Sequence, residues 1–283
     1  MTDTAIVTKS GRINRRAFLC AAAGAWAVAA HGQQKPTTPT REIALFNGRD
    51  LTGLYTWLRT TRYEDPKKVF SVRDGLLRIS GEDWGGIATR EAYRDYHLTL
   101  EWKWGPLVFE PRLKNARDSG ILLHCVGADG ARGGTWMESI ECQIIEGGCG
   151  DFILVEGANR PSMTVECRVG PDGQHYWQKG GAPVAKDRGR FNWYGRDVEW
   201  KDVLGFRGRA EVEKPAGEWN VSEAICDGSS VTNLVNGVVV NHGASASHTQ
   251  GKIMLQSEGA EILIRRFELA PVRKPAAARA RRF

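Results

Sequence analysis

Two short segments pair a carboxylate with a second polar group two residues away. Glu101 precedes Lys103, and Glu141 precedes Gln143. Side chains alternate between faces in an extended chain, so each pair shares one side of a strand. Were those sides to meet, two carboxylates, an amine and an amide would converge. His124 and Arg265, on other apolar segments, offer an imidazole and a guanidinium. Such a set suits general acid–base chemistry, in which one group takes a proton and a cation or amide steadies the oxyanion left behind. Glu141, Glu101 and His124 are therefore candidate catalytic groups. Gln143, Lys103, Trp136, Asn220 and Arg265 are candidate substrate-binding groups. Asp118 and Glu146, with Glu141, could supply the hard oxygen ligands of a divalent cation such as calcium, although their spacing fits no standard metal loop. No other cofactor is called for. Each residue also has a plainer role. Strand charges are commonly solvated or paired across strands, and a single histidine is commonly half-buried and satisfied.

The elements that must position these residues read as short strands joined by turns. Tyr96, Leu98, Leu100, Trp102 and Trp104 alternate with His97, Thr99, Glu101 and Lys103. Ile140, Cys142 and Ile144 alternate with Ser139, Glu141 and Gln143. Both patterns have the period of two expected of a strand with one buried face. Lys68–Val72 and Leu76–Ile79 flank Asp74-Gly75, and Val231–Val235 and Val238–Val240 flank Asn236-Gly237. Asp-Gly and Asn-Gly between apolar runs predict hairpins. Further strands are expected over 120–126, 219–226, 253–256 and 261–269. No sustained helical period or internal repeat is evident, so an all-β sandwich of antiparallel strands is predicted. Residues 168–210, rich in Gly, Trp and Arg, read as an irregular insertion of long loops.

Ahead of the β region, Arg15-Arg16 precede an alanine-rich apolar run from Ala17 to Ala30. Ala27 and Ala29 then offer a small-residue cleavage site. This order of features predicts a twin-arginine export signal over 1–30 and a periplasmic or extracellular mature protein. A polar linker is expected over 31–42. The tail 272–283 is basic and reads as a solvated end. The chain of 283 residues carries a net charge of +6, but the signal and the tail hold most of the positive excess. Between residues 31 and 270 the balance is about −2. No basic stripe interleaved with aromatics appears, which argues against nucleic acid as a partner. No stable membrane insertion is expected once the signal is removed. Five cysteines remain after the signal, with Cys142 and Cys149 near enough in sequence to bridge a short loop.

Eight motifs in order carry a family resemblance. They are Leu45–Gly53, Phe70–Leu77, Tyr93–Leu98 with Glu101-Trp102, Asp118-Ser119-Gly120-Ile121, Glu141–Glu146, Gly217–Asn220 with Asn236-Gly237, Gly251–Gln256 and Ile264–Phe267. Over residues 43–271 the chain resembles the 3-keto-disaccharide hydrolase domain family. The resemblance implies a concanavalin A-like jelly roll of two antiparallel sheets with a concave sugar-facing surface. It also implies cleavage of glycosides already oxidised at C3, with an oxidised sugar or glycoside as substrate. A ketone there acidifies the C2 proton, whose removal lets the C1 substituent leave, after which water adds back. Asp118 and His124 stand where the family usually has Asn and often Arg. Trp136, Trp177 and Trp193 are candidates for stacking on a sugar ring, and Trp102, Trp104 and Trp219 for the core. Two other readings suit the same fold, which does not fix function. One is a lectin-like carbohydrate-binding module. The other is an ordinary two-carboxylate glycoside hydrolase, for which Glu138-Ser139-Ile140-Glu141 lacks the dense acidic strand of the concanavalin-like glucanases. The enzyme reading requires Glu101 and Glu141 to meet in one hollow.

Overall fold

The computed structural model describes residues 35–273. The expected export signal, the first residues of the linker and all but the start of the basic tail lie outside the described residues. Eighteen strands follow in chain order. The first nine are β1 (Ile43–Ala44), β2 (Leu54–Leu58), β3 (Phe70–Arg73), β4 (Leu76–Ile79), β5 (Gly85–Thr89), β6 (Tyr96–Val108), β7 (Asp118–Val126), β8 (Glu138–Ile145) and β9 (Phe152–Val155). The rest are β10 (Met163–Val169), β11 (His175–Trp177), β12 (Ala182–Lys186), β13 (Gly189–Phe191), β14 (Asn220–Asp227), β15 (Ser230–Val235), β16 (Val238–Ala244), β17 (Lys252–Ser257) and β18 (Ala260–Pro271). Among the described residues there is no helix, and so none long and apolar enough to cross a membrane.

The strands form two antiparallel sheets. The eleven-stranded sheet runs β11-β10-β16-β15-β14-β6-β18-β4-β3, with β1 beside β18 and β12 beside β10. The seven-stranded sheet runs β13-β9-β8-β7-β17-β5-β2. Strand alternation builds the layer between them. From β6 come Tyr96, Leu98, Leu100, Trp102 and Trp104; from β8 come Ile140, Cys142 and Ile144; all lie in one buried cluster. Burying each large side chain of this kind contributes roughly 1.5–3 kcal/mol. Trp102 and Trp104 keep their indole N–H groups satisfied inside, donating to Ser222 Oγ at 2.9 Å and to Glu213 Oε1 at 2.7 Å.

The hairpins form where the turn dipeptides place them. Asp74 and Gly75 have φ of 51° and 76°, and Asn236 and Gly237 have 50° and 79°. Two consecutive positive φ values are what a tight hairpin following the right-handed twist of its strands requires. The segment 168–210 departs from expectation, because it contains β11, β12 and β13 and extends both sheets. Trp193 within it is 1% exposed and belongs to the core rather than to a stacking surface. A bridge between Cys142 and Cys149 does not form, and the five described cysteines are free and buried.

One buried carboxyl ties the core to pH. Glu213 is 4% exposed, and burial pushes its pKa from about 4.5 up to about 8. The folded chain therefore keeps this proton up to about pH 8, whereas the unfolded chain releases it near 4.5. Between those values the native state binds more protons, so this group's contribution is full at low pH and lost as pH rises. Each pKa unit corresponds to about 1.4 kcal/mol. Glu213→Gln should flatten the fall in melting temperature between pH 5 and pH 8, as scanning calorimetry at both pH values would show. An unchanged slope would remove Glu213 as its source.

Candidate functional site

The β8 residues that alternate with the core cluster project from the opposite, outer face of the seven-stranded sheet. Register then fixes one row across all seven strands. Arg190 pairs with Ile153, Ile153 with Glu141, and Glu141 with Leu122. Leu122 pairs with Met254, Met254 with Ala88, and Ala88 with Tyr55. In the neighbouring row Gln143 pairs with Gly120, and Gln256 pairs with Gly86, which pairs with Trp57. Gly120 is a requirement of this arrangement. A Cβ there would stand 2.1 Å from Glu141 Oε1 and 2.6 Å from Gln256 Oε1. The missing side chain lets both groups reach across β7 toward each other.

Three carboxyl groups gather at this centre, two of them on one cation. Arg112, in the loop before β7, donates from Nη2 to Asp118 and to Glu258 Oε1, the latter at 2.7 Å. Asp118, Glu141 and Glu258 are 4%, 4% and 8% exposed. Burial raises the pKa of Glu141 well above the carboxylate range, and the neighbouring Asp118 charge adds to it. Burial raises Asp118 strongly too, with repulsion from Glu258 added. Glu258 is raised by burial to about 7, with Arg112 opposing the shift. Among the described residues Asp118 Oδ1, Glu141 Oε1 and Gln256 Oε1 are buried without a hydrogen-bond partner. Unpaired acceptors are costly inside a protein. Their convergence, beside carboxyls whose proton affinity burial has raised, makes a place where a ligand's hydroxyl and carbonyl groups would be satisfied.

The row has two unlike ends. Toward β13, Asp151 is fully buried and accepts from Arg190 at 2.9 Å, from Arg196 and from the Trp193 backbone N–H at 2.6 Å. Arg190 and Arg196 line a cavity of about 210 Å³ with Gln174, Tyr176 and Trp200 among its other walls. Toward β2 the face turns apolar. Ala88, Leu122, Cys125, Met137 and Met254 form a second cluster under Tyr55, Trp57 and Trp136. Trp136 stacks on Trp84 with ring centres 5.6 Å apart.

The candidates from sequence divide between the two outer faces. Glu141, Gln143, Asp118 and Trp136 lie on the outer face of the seven-stranded sheet. Glu101 and Lys103 do not join them. They alternate with Leu100 and Trp102, and so leave the opposite side of the sandwich. There Glu101 accepts from Arg265 Nε at 2.6 Å, and Trp219, flanked by Lys103 and Arg265, is surface rather than core. The expected meeting of Glu101 with Glu141 is therefore corrected: each shares its outward direction with its own sheet, and the core separates them. Asn220 faces inward, fully buried, and accepts from the Lys214 backbone N–H at 2.8 Å. His124 sits on a bulge of β7 with φ of 54°, packs edge-on to Tyr96 across the core and bonds the His248 carbonyl through Nδ1. Burial lowers its pKa to about 4. It has turned away from Glu141.

Asp118 and Glu146 do not fit a metal site. Asp118 is bound by Arg112, and Glu146 accepts from Arg117 at 2.7 Å and from Gly205 N at 2.7 Å. Among the described residues no group of three or more His, Cys, Asp or Glu is arranged to hold a metal ion. Sequence reasoning missed Arg112, Glu258, Gln256 and Arg190. Met254, Gln256 and Glu258 follow the strand period, so that face was open to reading. Arg112 lies in a loop that carries no period.

The architecture is an all-β sandwich of two antiparallel sheets, as the sequence leads one to expect. Residues 41–270 match the sequence model of the 3-keto-alpha-glucoside-1,2-lyase-like domain. No curated protein matches the chain. Similar solved structures include a provisionally assigned glycosyl hydrolase from Parabacteroides distasonis, 19% identical, covering 82% of this chain and 94% of its own, with a TM-score of 0.47. The carbohydrate-binding module CBM66 from Bacillus subtilis is 9% identical, with coverages of 77% and 95% and a TM-score of 0.42. A Bacillus licheniformis beta-glucanase is 13% identical, with coverages of 81% and 97% and a TM-score of 0.41.

Removing the central cation tests the electrostatics of this cluster. Arg112→Gln should destabilise the fold by about 3 kcal/mol at pH 8, where Glu258, its pKa raised to about 7, is ionised and loses its partner. At pH 5, where Glu258 keeps its proton, the loss should be much smaller. Urea unfolding at the two pH values measures the difference, and equal losses would contradict it.

Proposed function

The chain belongs to the 3-keto-alpha-glucoside-1,2-lyase-like family, and from that premise we propose that it cleaves glycosides whose sugar has been oxidised at C3. The observation that carries the reading is the cluster of Glu141, Glu258 and Asp118 over Gly120, with buried oxygens left unpartnered. A keto-glycoside needs a base for the C2 proton, a donor for the enolate oxygen and an acid for the departing C1 oxygen. Glu258, with a pKa of about 7, is ionised for part of the time at neutral pH and takes the C2 proton. The C–H electron pair moves to the carbonyl, giving an enolate at C3. Gln143 and Arg190, on the same face, are the donors to that oxygen. Glu141 stays protonated because its site is desolvated. It gives its proton to the glycosidic oxygen as the enolate collapses and the C1–O bond breaks. The products are an alcohol and an unsaturated keto-sugar, to which water adds at C1 while C2 regains a proton.

Glu101 and His124 have no part in this scheme. The rim formed by Arg190, Arg196, Tyr176 and Trp200 suits the hydroxyls of a sugar, and the Trp136 end suits a group with an apolar face. Export by the twin-arginine route belongs to the same proposal and rests on Arg15-Arg16 and the apolar run that follows. Its check is fractionation: Arg15→Lys with Arg16→Lys should leave the protein in the cytoplasm, whereas unchanged export would dismiss that route.

Turnover of matched substrates tests the chemistry. The mature protein should release alcohol from a 3-keto-glucoside and none from the parent glucoside. Glu141→Gln should lower kcat at least about 100-fold, the usual scale for general acid–base catalysis, with melting temperature nearly unchanged. The kcat/KM of the native protein should rise through about pH 7 as Glu258 loses its proton, and Glu258→Gln should abolish that limb. Sugar binding without turnover would favour the lectin reading, and equal turnover of both glycosides the ordinary glycosidase.

A further inference from the structure

Away from the acid cluster, the segment 168–210 holds a second cavity, of about 410 Å³, lined by Arg168, Trp177, Gln178, Lys179 and Tyr194. We propose that it binds an acidic glycan, a chain of pyranose rings bearing carboxylates. The inference does not depend on keto-sugar chemistry and stands whether or not that reading holds.

The walls are fixed by the fold. Trp177 pairs with Cys167 across the β10–β11 hairpin, and the turn after it closes through Gly181 N donating to Gln178 O at 2.9 Å. Tyr194 is 40% exposed, and its ring is held edge-on by Trp177 at 6.0 Å and Trp193 at 5.2 Å. That leaves an aromatic surface steadied from two sides and open to solvent, the kind of platform on which the C–H face of a pyranose rests. Arg168 donates to the Tyr194 carbonyl at 3.2 Å and lies 4.4 Å over the Tyr176 ring, which sets its cation beside the platform.

The polar groups define the ligand. The Trp177 indole N–H is buried with no partner among the described residues. The Lys179 and Gln178 side chains are exposed at the rim. No carboxylate lines the cavity. Glu166, the nearest acid on β10, is engaged at the turn, accepting from Gly180 N at 2.7 Å. A neutral sugar presents hydroxyls that donate as well as accept and calls for acceptors, of which the lining side chains supply one amide and one phenol. A carboxylate-bearing sugar presents acceptors and negative charge, which two cations and an indole N–H match. The larger field agrees. Residues 168–210 hold nine Arg and Lys against five Asp and Glu, a net of +4, whereas the remainder of 31–270 carries about −6. The segment is thus net positive within an otherwise acidic domain, which favours a polyanion over a neutral ligand near Arg168 and Lys179.

Native affinity electrophoresis of the full chain, in gels containing polygalacturonate, tests the proposal. Migration should be slowed, and the effect should weaken with added salt. The fully methyl-esterified polymer, with the same backbone and no free carboxylate, should not slow it. Lys179→Glu and Tyr194→Ala should each weaken binding about fivefold or more while melting temperature and turnover of the 3-keto-glucoside stay as they were. No retardation, or retardation untouched by both variants, would overturn the site. Equal retardation by the esterified polymer would overturn the acidic class. Equal retardation by single-stranded DNA would reduce the feature to a general polyanion patch and overturn the glycan assignment.

Discussion

Three carboxyl groups and one guanidinium, shut away from water on one face of a sheet, set the terms for this molecule. Charges so placed repel one another strongly and can be relieved only by protonation or pairing. Arg112 relieves Asp118 and Glu258 in part, and Glu141 is relieved by keeping its proton. The result is a group of acids whose proton affinities are spread apart by position alone. That spread is what lets chemically similar side chains take opposite roles in one reaction.

The rest of the sandwich exists, in physical terms, to hold that face. Its inner surface is a continuous apolar layer in which Trp102, Trp104, Ile140 and Ile144 are almost wholly buried. Because β8 and β7 are pinned from behind, Glu141, Gln143 and Gly120 cannot rotate away from one another without a register slip, which would expose the entire buried set. The loops then finish the site from in front. Asp202 accepts from Asn115 Nδ2 at 2.7 Å and from Ala116 N at 2.9 Å, and Trp200 donates to the Glu146 carbonyl at 2.8 Å. The Asp202 contacts tie the segment after β13 to the loop that carries Arg112, and the Trp200 contact ties it to the end of β8.

Strand periodicity made much of this legible in advance. The alternation in β6 and β8 gave both the strands and their buried sides, and Asp74-Gly75 and Asn236-Gly237 gave the turns between β3 and β4 and between β15 and β16. Alternation says which residues share a face of one strand, but not which of two sheets that strand will join. That is why Glu101 and Glu141, both strand-borne acids, read as partners in the sequence and are parted in the fold. In the sequence Gly120 is legible only as part of a motif, since its importance lies in an absent side chain that lets two others meet. Arg112 and the cavity-lining residues of 168–210 come from loops and short edge strands, where composition gave charge and aromaticity without position.

The same cluster that is proposed to carry catalysis works against the fold's stability. Buried acceptors without partners and acids held above their ordinary pKa are both unfavourable in the resting protein, and a well-packed apolar patch at Glu141 and Gln256 would serve the sheet better. The apolar cluster of Leu122 and Met254 in the adjoining columns of the row shows that this sheet face can be built that way. The change from apolar to acidic happens within a single row, between Leu122 and Glu141, which are direct neighbours on β7 and β8. A packing requirement alone would not place a desolvated carboxyl beside a leucine. A substrate that satisfies these oxygens would recover that free energy on binding, which favours a ligand rich in hydroxyl and carbonyl groups.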